Sequence, residues 1–386
     1  MQNIIQCFKK MKLSECFTFL VGGDVDKLCF SETKDDMHPY PIYANALTNK
    51  GLYGYSSKYK IKDECITITG RGDIGNVFYR KGFFTPIVRL IVAIPRENIN
   101  AKFMSYACSK IRFFNETTGV PQLTVPQVQG HKVLVPPLAE QEKIAEILGT
   151  WDSAIEKLTA LIAAKRLQKK GMMQKLLTAQ IRLPGFTGEW QKVKLGEITV
   201  QVTKSVGTLK IPTASISSKT GFVLQEEKFG RDISGEQYSK YTLIEKGDFS
   251  YNKGNSKTYP QGCAYRLKQF NQIAVPNVFI SFKTINDLVC PSFLEQFFMG
   301  NFHGKLLRRV ITSSVRDNGL LNLSVEDFFG IEFELPPLSE QKTIADILSK
   351  ADEEIDLLTR KLDLLKSQKK GLMQQLLTGK IRVKVA

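Results

Sequence analysis

The sequence predicts an α+β protein in which two globular α/β heads are joined by a pair of long antiparallel coiled-coil helices. Three observations support this fold class: a long internal repeat, an apolar stripe along each copy of the repeat, and short connections between repeat and head. Together they predict approximate two-fold symmetry within the 386 residues. We place the heads at residues 1–135 and 183–335, and the helical segments at 136–182 and 336–386.

The repeat consists of residues 136–182 and 336–382, which align at an offset of 200 with 24 identical residues in 47 positions. Solenoid repeats are much shorter, so a period of this length indicates that a domain was duplicated. The identical residues include Pro136, Glu140, Gln141, Lys170, Gly171 and Ile181, each with its counterpart 200 positions later.

Each copy of the repeat carries a stripe in which spacings of four and three residues alternate. An average of 3.5 residues keeps one side of a helix facing a partner helix, as in a coiled coil. The alternative is two independent helices, each packing on its own head. The stripes are Ile144, Leu148, Trp151, Ile155, Leu158, Ile162, Lys165, Lys169, Met172 and Leu176, then Ile344, Leu348, Ala351, Ile355, Leu358, Leu362, Leu365, Lys369, Leu372 and Leu376.

The connections determine the direction of the helices. The first helical segment is followed after Leu183–Trp190 by the second head, which runs directly into Pro336. Short connections require paired helices to be antiparallel. Proline is tolerated in the first turn of a helix, so the Pro-Pro pairs suit helix starts. Gly171 and Gly371 interrupt both helices, and either a close crossing or tolerated glycines would explain them.

The charge balance favours a polyanionic partner. The chain has 54 Lys+Arg against 38 Asp+Glu, a formal net charge of +16 and a pI near 9.4. Such a field attracts nucleic acid, although a merely basic surface would have the same composition. We expect a cytoplasmic protein that does not enter a membrane, because no lipidation motif, signal peptide or long uncharged apolar run is present.

The cysteines and histidines do not predict a metal site. The seven cysteines form no C-x-x-C pair, and the three histidines lie far apart in the sequence. Neither arrangement has the spacing of a zinc site. We interpret the cysteines as reduced and mostly buried.

The heads alternate between strand and helix patterns. We predict strands over Glu64–Thr69, Asn76–Arg80 and Ile87–Ile94 of the first head, followed by a helix over Asn98–Ile111. In the second head we predict strands over Asp248–Tyr251, Cys263–Arg266 and Val275–Lys283, followed by a helix over Ser292–Leu307.

The segments that resemble catalytic or nucleotide-binding motifs each lack a feature that the motif requires. Gly70-x-Gly72-x-x-Gly75 follows a strand, as a dinucleotide fingerprint should, but leads into residues that favour another strand. Without a helix N-terminus there is no pyrophosphate site, so we interpret the motif as a glycine-rich hairpin. Lys257-Thr258 lacks the glycine that a P-loop requires before its lysine.

The repeat resembles that of one protein family. The PPL[AS]EQ start, the long helix ending in KKG-[ML]-M-Q-x-LLT-x-x-IR and the divergent heads between the copies resemble Type I restriction–modification specificity subunits. The resemblance extends over essentially the whole chain, and the duplicated segments are its specific part. One departure is that the first head has LSE at 13–15 where the second has LGE at 195–197.

The resemblance implies a subunit without catalysis of its own. Each head would be a target-recognition domain for one half of a split double-stranded DNA sequence, and the helices would set the gap. The implied partners are two DNA methyltransferase (modification) subunits and the restriction, or motor, subunits. S-adenosylmethionine would belong to the former partners, and ATP and magnesium to the latter.

The candidate DNA-contacting residues lie in the two glycine-rich hairpins, in neighbouring loops and in basic positions after them. Arg, Lys and Asn match base edges in the major groove, whereas Arg308 and Arg309 are better placed for phosphates. An ordinary turn or surface role is the alternative for each residue. The candidates are Asn45, Asn49, Lys58, Tyr59, Arg71, Asp73, Arg80, Lys219, Lys253, Asn255, Lys257, Arg266, Arg308, Arg309 and Arg316.

The sequence is also compatible with other classes of function. A free-standing DNA-binding regulator with two recognition domains would need no surface for partner subunits. Leu357 and Leu364 lie off the predicted stripe and suggest such a surface, although single exposed leucines are common. A specificity subunit of a related Type II-like complex, or an enzyme with an unrecognised active site, are further alternatives.

Overall fold

The chain folds into two compact units in a computed structural model, which describes residues 8–113, 121–217, 220–254, 259–285, 287–311 and 321–385. Unit 1 comprises Met1–Thr159 and Arg360–Ala386, and unit 2 comprises Ala160–Thr359. Each unit therefore contains one head and part of each repeat. Within the described ranges, no helix is both long and apolar enough to cross a membrane.

Unit 1 begins with a strand that pairs with the last strand before the first long helix. Two short 3-10 segments, Lys27–Cys29 and Thr48–Gly51, lie between its strands. Its elements are β1 (Lys9–Lys12), α1 (Leu13–Cys16), β2 (Phe17–Val21), β3 (Phe30–Ser31), β4 (Tyr40–Tyr43), β5 (Leu52–Ser56), β6 (Glu64–Ile68), β7 (Val77–Lys81), β8 (Thr85–Pro86), β9 (Ile91–Pro95), α2 (Ala101–Cys108), α3 (Val125–Gln129), β10 (Lys132–Val135) and the start of α4 (Leu138–Leu176).

Among the described residues, unit 2 repeats this order with the same number of strands and two additional short helices, over Gln225–Phe229 and Phe302–Leu307. A 3-10 segment at Gly235–Lys240 interrupts it. Its elements are β11 (Gln191–Lys194), α5 (Leu195–Ile198), β12 (Thr199–Gln201), β13 (Ala214–Ser217), β14 (Gly221–Leu224), α6 (Gln225–Phe229), β15 (Thr242–Glu245), β16 (Phe249–Asn252), β17 (Cys263–Arg266), β18 (Gln272–Val275), β19 (Ile280–Thr284), α7 (Pro291–Met299), α8 (Phe302–Leu307), α9 (Val325–Phe329), β20 (Glu332–Leu335) and the start of α10 (Leu338–Leu377).

The main sheet has the same strand order in both heads. It runs β2-β9-β6-β7 in unit 1 and β12-β19-β16-β17 in unit 2, with every neighbouring pair antiparallel. β1 pairs with β10, and β11 pairs with β20. Each head thus starts and ends on a shared two-stranded sheet beside its long helix. Within the described ranges, the remaining strands form one four-stranded sheet in unit 1 and two two-stranded sheets in unit 2.

The predicted stripes of the long helices are confirmed. In α4 and α10, none of the ten predicted positions of either stripe is exposed. The helices run antiparallel within each unit. In unit 1, Lys369 contacts Asp152 and Arg382 contacts Glu140. In unit 2, Lys165 contacts Glu354 and Lys169 contacts Asp352. The predicted fold class is therefore confirmed.

The glycines of the long helices are tolerated residues. Both are exposed, and a Cβ atom built on Gly171 or Gly371 would meet nothing within 4 Å. α4 and α10 continue through these positions without a break. The alternative of a close helix crossing at the glycines does not apply.

Three predicted elements differ from the structure. The strand over Ile87–Ile94 starts only at Ile91, because Val88 and Arg89 adopt left-handed backbone with φ of 51° and 56°. The helix over Ser292–Leu307 is broken between Met299 and Phe302, where Asn301 has φ of 56°. The strand over Val275–Lys283 is two strands, β18 and β19, separated by a turn.

Candidate nucleic-acid interface

The glycine-rich hairpin of unit 1 is a rigid loop between β6 and β7. Gly72 and Gly75 adopt left-handed backbone, with φ of 64° and 80°, which favours glycine. The amide of Gly75 donates to the carbonyl of Thr69 at 2.8 Å, and the Thr69 hydroxyl donates to the carbonyl of Asp73. These bonds fix the loop before any ligand binds, and they leave the side chain of Asp73 exposed.

The segment before α3 holds the first half of this loop. The amide of Leu123 donates to the carbonyl of Gly70 at 2.8 Å, and Arg71 donates from Nη2 to Oε1 of Gln122 at 3.0 Å. A Cβ atom at position 70 would lie 3.0 Å from the carbonyl oxygen of Leu123. Only glycine allows this approach without a shift of the neighbouring backbone. Arg71 is therefore held partly buried at the edge of the loop.

Asn45 joins the hairpin to a strained turn. Its Oδ1 accepts from the amide of Gly70 at 2.8 Å, and its Nδ2 donates to the carbonyl of Val88. Both ends of the amide thus bond within the protein. The structure favours a positioning role for Asn45, whereas the sequence suggested base contact.

Arg89 is a candidate that the sequence analysis missed. It follows Val88 in left-handed backbone, which costs on the order of 1–3 kcal/mol for such residues. Its carbonyl oxygen lies 3.3 Å from the position of a Cβ atom at Gly70, and its side chain is exposed. Left-handed backbone held in place by surrounding contacts is typical of functional sites. The apolar pattern of the segment gave no sign of this turn.

Arg80 lies in the interior and corrects the prediction that it contacts DNA. It is 5% exposed, and it donates from Nε to the hydroxyl of Thr67 at 3.0 Å and from Nη2 to the carbonyl of Lys50 at 2.6 Å. Its guanidinium carbon lies 3.6 Å from the ring centre of Tyr43. Burial lowers the pKa of Arg80. The residue supports the left-handed turn of Asn49 and Lys50, which leaves Asn49 exposed.

An exposed aromatic cluster surrounds Tyr59. The ring of Tyr59 lies 4.9 Å from Tyr40 and 5.0 Å from Phe83, and the side chains of Tyr59 and Phe83 are 43% and 52% exposed. The neighbouring Lys58 is also exposed. Aromatic faces beside ammonium groups are typical of surfaces on which bases stack. The sequence analysis found Lys58 and Tyr59 but missed Tyr40 and Phe83.

The corresponding loop of unit 2 follows β16. The amide of Leu321 donates to the carbonyl of Lys253 at 3.0 Å, and Lys253 Nζ donates to the carbonyl of Leu323 at 2.8 Å. The loop is therefore tied to the segment before α9, as the loop of unit 1 is tied to the segment before α3. Four candidates lie outside the described residues: Lys219, Asn255, Lys257 and Arg316.

Arg266 lies away from this loop. It pairs with Phe249 at the end of the β16–β17 hairpin opposite to the loop, whereas Cys263 pairs with Asn252 at the loop end. Its Nη1 donates to the hydroxyl of Ser292 at 3.1 Å and lies 3.8 Å from Glu295 Oε2. These contacts connect β17 to α7 and favour a structural role for Arg266, for which the sequence suggested DNA contact.

Arg308 and Arg309 are exposed at the end of α8. Their position fits the predicted role of phosphate binding, for which an exposed flexible cation suffices. Within the described part of the chain, no group of three or more His, Cys, Asp or Glu residues could hold a metal ion.

The comparisons with known proteins agree on one family. The sequence matches the family described as Type I restriction modification DNA specificity domain over residues 7–166 and 187–367. A putative type I specificity subunit of Mycoplasma pneumoniae is 33% identical over 141 residues, which are 36% of this chain and 39% of that protein. The chain thus covers less than half of that relative's length.

A longer sequence alignment and a solved structure extend the comparison. The Type I restriction enzyme MjaVIII specificity subunit of Methanocaldococcus jannaschii is 26% identical over 295 residues, 69% of this chain and 66% of that protein. The crystal structure of a Type I restriction–modification system S subunit from M. genitalium superimposes with a TM-score of 0.63, covering 96% of both chains at 17% identity. This similarity shows the shared fold.

Proposed function

Because the chain belongs to the Type I restriction–modification DNA specificity family, we propose that it recognises an asymmetric bipartite DNA sequence, one half with each head. One observation carries the proposal. In both heads, the loop after the same strand of the main sheet is bonded to the segment before a short helix, through Leu123 to Gly70 and through Leu321 to Lys253. The side chains around the two loops differ, so the two half-sites should differ.

Head 1 would recognise bases with Arg71, Asp73 and Arg89. An arginine can donate two hydrogen bonds to guanine, and a carboxylate accepts from the amino group of cytosine. The preformed hairpin lowers the entropy lost on binding, because its backbone is already ordered. Lys58, the aromatic cluster and the exposed Asn49 would bind the neighbouring backbone and bases.

Head 2 would use Lys253 and the residues that follow it. Arg308 and Arg309 would bind phosphates and so contribute affinity without sequence preference. Their contribution should weaken with salt, because each neutralised phosphate releases counterions. The net charge of +16 favours the same polyanionic partner.

The long helices would set the distance between the half-sites. A helix of 39 residues is about 58 Å long at about 1.5 Å per residue. Two heads separated on this scale would contact patches about one to two helical turns of DNA apart, since one turn is about 34 Å, instead of one continuous short sequence.

Catalysis would belong to partner subunits. We infer that two methyltransferase subunits carry S-adenosylmethionine and that restriction subunits carry ATP and magnesium. Leu167, Leu357 and Leu364 are 71%, 61% and 64% exposed on the long helices, which favours docking of further helices there. A free-standing regulator would have no use for such a surface.

Methylome sequencing of cells with and without the gene is the decisive experiment. We expect one bipartite methylated motif to disappear on deletion and to return when the gene is restored. An unchanged methylome, with the genes for the partner subunits expressed, would contradict the proposed function. A free-standing regulator would instead change transcription and leave methylation intact.

Substitution of the two loops should separate the half-sites. We expect Arg71→Ala to relax the base preference of one half-site and Lys253→Ala that of the other, each losing about 1–3 kcal/mol of discrimination. Lys157→Ala is the matched control, since it removes one exposed charge from α4. A loss of preference in both half-sites from either loop variant would exclude this assignment.

A heptad insertion tests the spacer. Seven residues inserted after Ala163 and after Asp363 preserve the apolar stripe and lengthen both helices by ~10 Å. The gap between the half-sites should grow by about three base pairs, with both half-site sequences unchanged. An active variant that keeps the original gap would show that the helices do not measure the distance.

A further inference from the structure

Unit 1 contains an open cleft that its DNA-recognition loops do not use. The end of α2, strand β10 and the last turns of α10 enclose a volume of about 430 Å³. Its apolar lining includes Ile111, Val133, Met373 and Leu377. Val133, Met373 and Leu377 are buried members of the unit 1 core, so the floor of the cleft is firmly packed.

Three ammonium groups surround this apolar floor. Lys110, Lys132 and Lys370 line the cleft, and all three are exposed. Within the described residues, no ion pair includes any of them. The combination of an apolar floor and a cationic rim is complementary to a ligand that has an apolar group beside negative charges.

Unit 2 provides an internal comparison for this region. The amides of Asn100 and Cys290 donate to Oε1 of Gln141 and Gln341, so α2 and α7 begin at equivalent places. Seven residues further on, Ala107 of unit 1 corresponds to Phe297 of unit 2. The side chain of Ala107 leaves the cleft open where a phenylalanine stands in the other head.

The phenylalanine of unit 2 belongs to its core. Phe297 stacks on Phe333 at 4.5 Å and on Phe302 at 5.9 Å between ring centres. Met173, which corresponds to Met373, lies in the same apolar cluster. Aromatic side chains thus fill in unit 2 the region that is open in unit 1, which shows that the fold itself does not require a cleft.

The charge at the edge of this region also differs between the two units. By strand register, Lys132 opposite Lys12 in unit 1 corresponds to Glu332 opposite Lys194 in unit 2. Glu332 forms an ion pair with Lys192 at 2.6 Å. Unit 2 has therefore exchanged one of the rim cations for a carboxylate with its own partner. The open volume and the positive rim occur together in unit 1.

We propose that the unit 1 cleft binds an acidic segment of a partner protein, with a leucine or phenylalanine side chain on the apolar floor and carboxylates on the three lysines. Amphipathic helices bind apolar grooves in this way. DNA is a poor occupant, because hydrated phosphates gain nothing from an apolar floor. Because Phe297 stands at the corresponding place in unit 2, the proposed site belongs to unit 1, and it does not depend on DNA recognition.

A labelled peptide tests the proposal with the full-length protein. The probe is a fluorescein-labelled helix of about 16 residues in which Leu and Phe recur every three to four positions among Glu and Asp. We expect saturable binding by fluorescence anisotropy at 150 mM salt. A peptide with Ser in place of Leu and Phe should bind at least tenfold more weakly, since the buried apolar side chain supplies that much affinity.

Matched variants show whether the cleft is the site. Lys370→Glu should weaken peptide binding roughly tenfold or more, whereas Lys170→Glu, the same change in the other repeat, should alter it less than twofold. Ala107→Phe should fill the cleft as Phe297 does in unit 2 and so weaken peptide binding. If the Ala107→Phe protein fails to fold, Lys132→Glu is a second variant, with its change on the surface. DNA affinity should remain the same in Lys370→Glu and Lys170→Glu.

Three results would overturn the inference. Equal peptide affinity in Lys370→Glu and Lys170→Glu would show that only the general positive field is involved. No saturable binding to the unsubstituted protein would show that the cleft does not accept such a segment. Competition of the peptide by a short DNA duplex, together with weaker DNA binding in Lys132→Glu, would identify a phosphate site instead.

Discussion

Each unit has an Arg–Glu ion pair between the two copies of the repeat, which we call its closure, and the two closures are alike while the interiors of the units differ. In unit 1, Arg382 donates from Nε and Nη2 to both carboxylate oxygens of Glu140, at 2.7 and 2.6 Å. In unit 2, Arg182 donates in the same geometry to Glu340, at 2.8 and 2.7 Å. Each pair joins the start of one repeat copy to the end of the other. Each copy of the repeat therefore completes a unit that the other copy begins. This shared role explains why the paired Glu and Arg residues are identical in the two copies.

A second matched contact lies further along the helices. Lys369 binds Asp152, which accepts from the hydroxyl of Tyr106 at 2.6 Å in unit 1. In unit 2, Lys169 binds Asp352, which accepts from Nε2 of Gln296 at 2.9 Å. The helix residues are identical and the head residues differ. A head can change its sequence if one side chain of its helix still donates to this aspartate.

The interiors show what can vary between the closures. Unit 2 has a cluster of phenylalanines and the fully buried His303, while the main sheet of unit 1 packs largely aliphatic residues. Among the described residues, left-handed backbone outside glycine is more frequent in unit 1, at Asn49, Lys50, Phe83, Val88, Arg89 and Asn98, than in unit 2, at Ala179 and Asn301. Constant ends and divergent interiors are what a scaffold with exchangeable recognition surfaces requires.

The largest expected effect comes from breaking a closure. Glu340 is 0% exposed, and Glu340→Gln would place an amide NH₂ against the donors of Arg182, at a cost of about 3 kcal/mol. Glu340 also accepts from Trp190 Nε1 at 3.2 Å, whereas Phe8 stands beside Arg382 in unit 1. We expect Glu140→Gln to cost less. Urea unfolding with unit-resolved hydrogen exchange would measure both.

Trp190→Phe sharpens this comparison. It removes the third donor and makes unit 2 resemble unit 1, so Glu340→Gln and Glu140→Gln should then have similar effects. If Glu340→Gln still destabilises its unit more than Glu140→Gln in the Trp190→Phe background, the difference arises from some other feature of unit 2.

Acid should destabilise unit 2 first. Burial lowers the pKa of His303 to about 4, below its unfolded value near 6.5. The unfolded state therefore binds the proton first, and stability falls as pH drops through 6.5 toward 4. The loss should reach about 2 kcal/mol at pH 5. Hydrogen exchange between pH 7.5 and 5 should show unit 2 opening before unit 1.

His303→Phe should remove this pH dependence. The ring is surrounded by Tyr251 and Phe298, so a phenylalanine fits the chemistry of the site. His38→Gln, at a partly exposed position of unit 1, is the control and should change little. An acid transition of unit 2 that survives in His303→Phe would have to arise from carboxylates.

The smallest effect tests the glycines. Gly171→Ala and Gly371→Ala each restore a helix-forming residue at an open position, and each should stabilise the protein by up to about 1 kcal/mol. Thermal unfolding would show the increase in Tm. A decrease in only one of the two would reveal a contact of that glycine that its counterpart does not make.

The sequence determined the periodic parts of this fold better than the local ones. The stripes, the antiparallel direction and the strands β6, β7 and β17 follow from periodicity, which the burial of one face imposes over many residues. The identical Glu and Arg at the ends of the repeat were also visible. That Glu140 pairs with Arg382, 242 positions away, required the three-dimensional structure.

The candidate site was less predictable because it depends on single residues. Arg80 and Arg266 have the side chains of DNA-contacting residues, yet both lie at the end of a hairpin opposite to its loop. Composition does not distinguish the two ends of a hairpin. Arg89 was missed because Val88 belongs to an apolar run, and left-handed backbone at a β-branched residue has no sequence signal.

Each closure joins the start of one repeat copy to the end of the other, and this arrangement also determines the order in which the units fold during synthesis. Unit 2, Ala160–Thr359, is continuous in the chain, whereas unit 1 needs Arg360–Ala386 to complete its core. At about 5–20 residues per second, a ribosome needs about 10–40 s to make the intervening residues. Throughout that time, Ile144 and Leu148 lack their partners Met373 and Leu376. The head that is made first is therefore finished last, and protease digestion of stalled nascent chains should find unit 2 protected before unit 1.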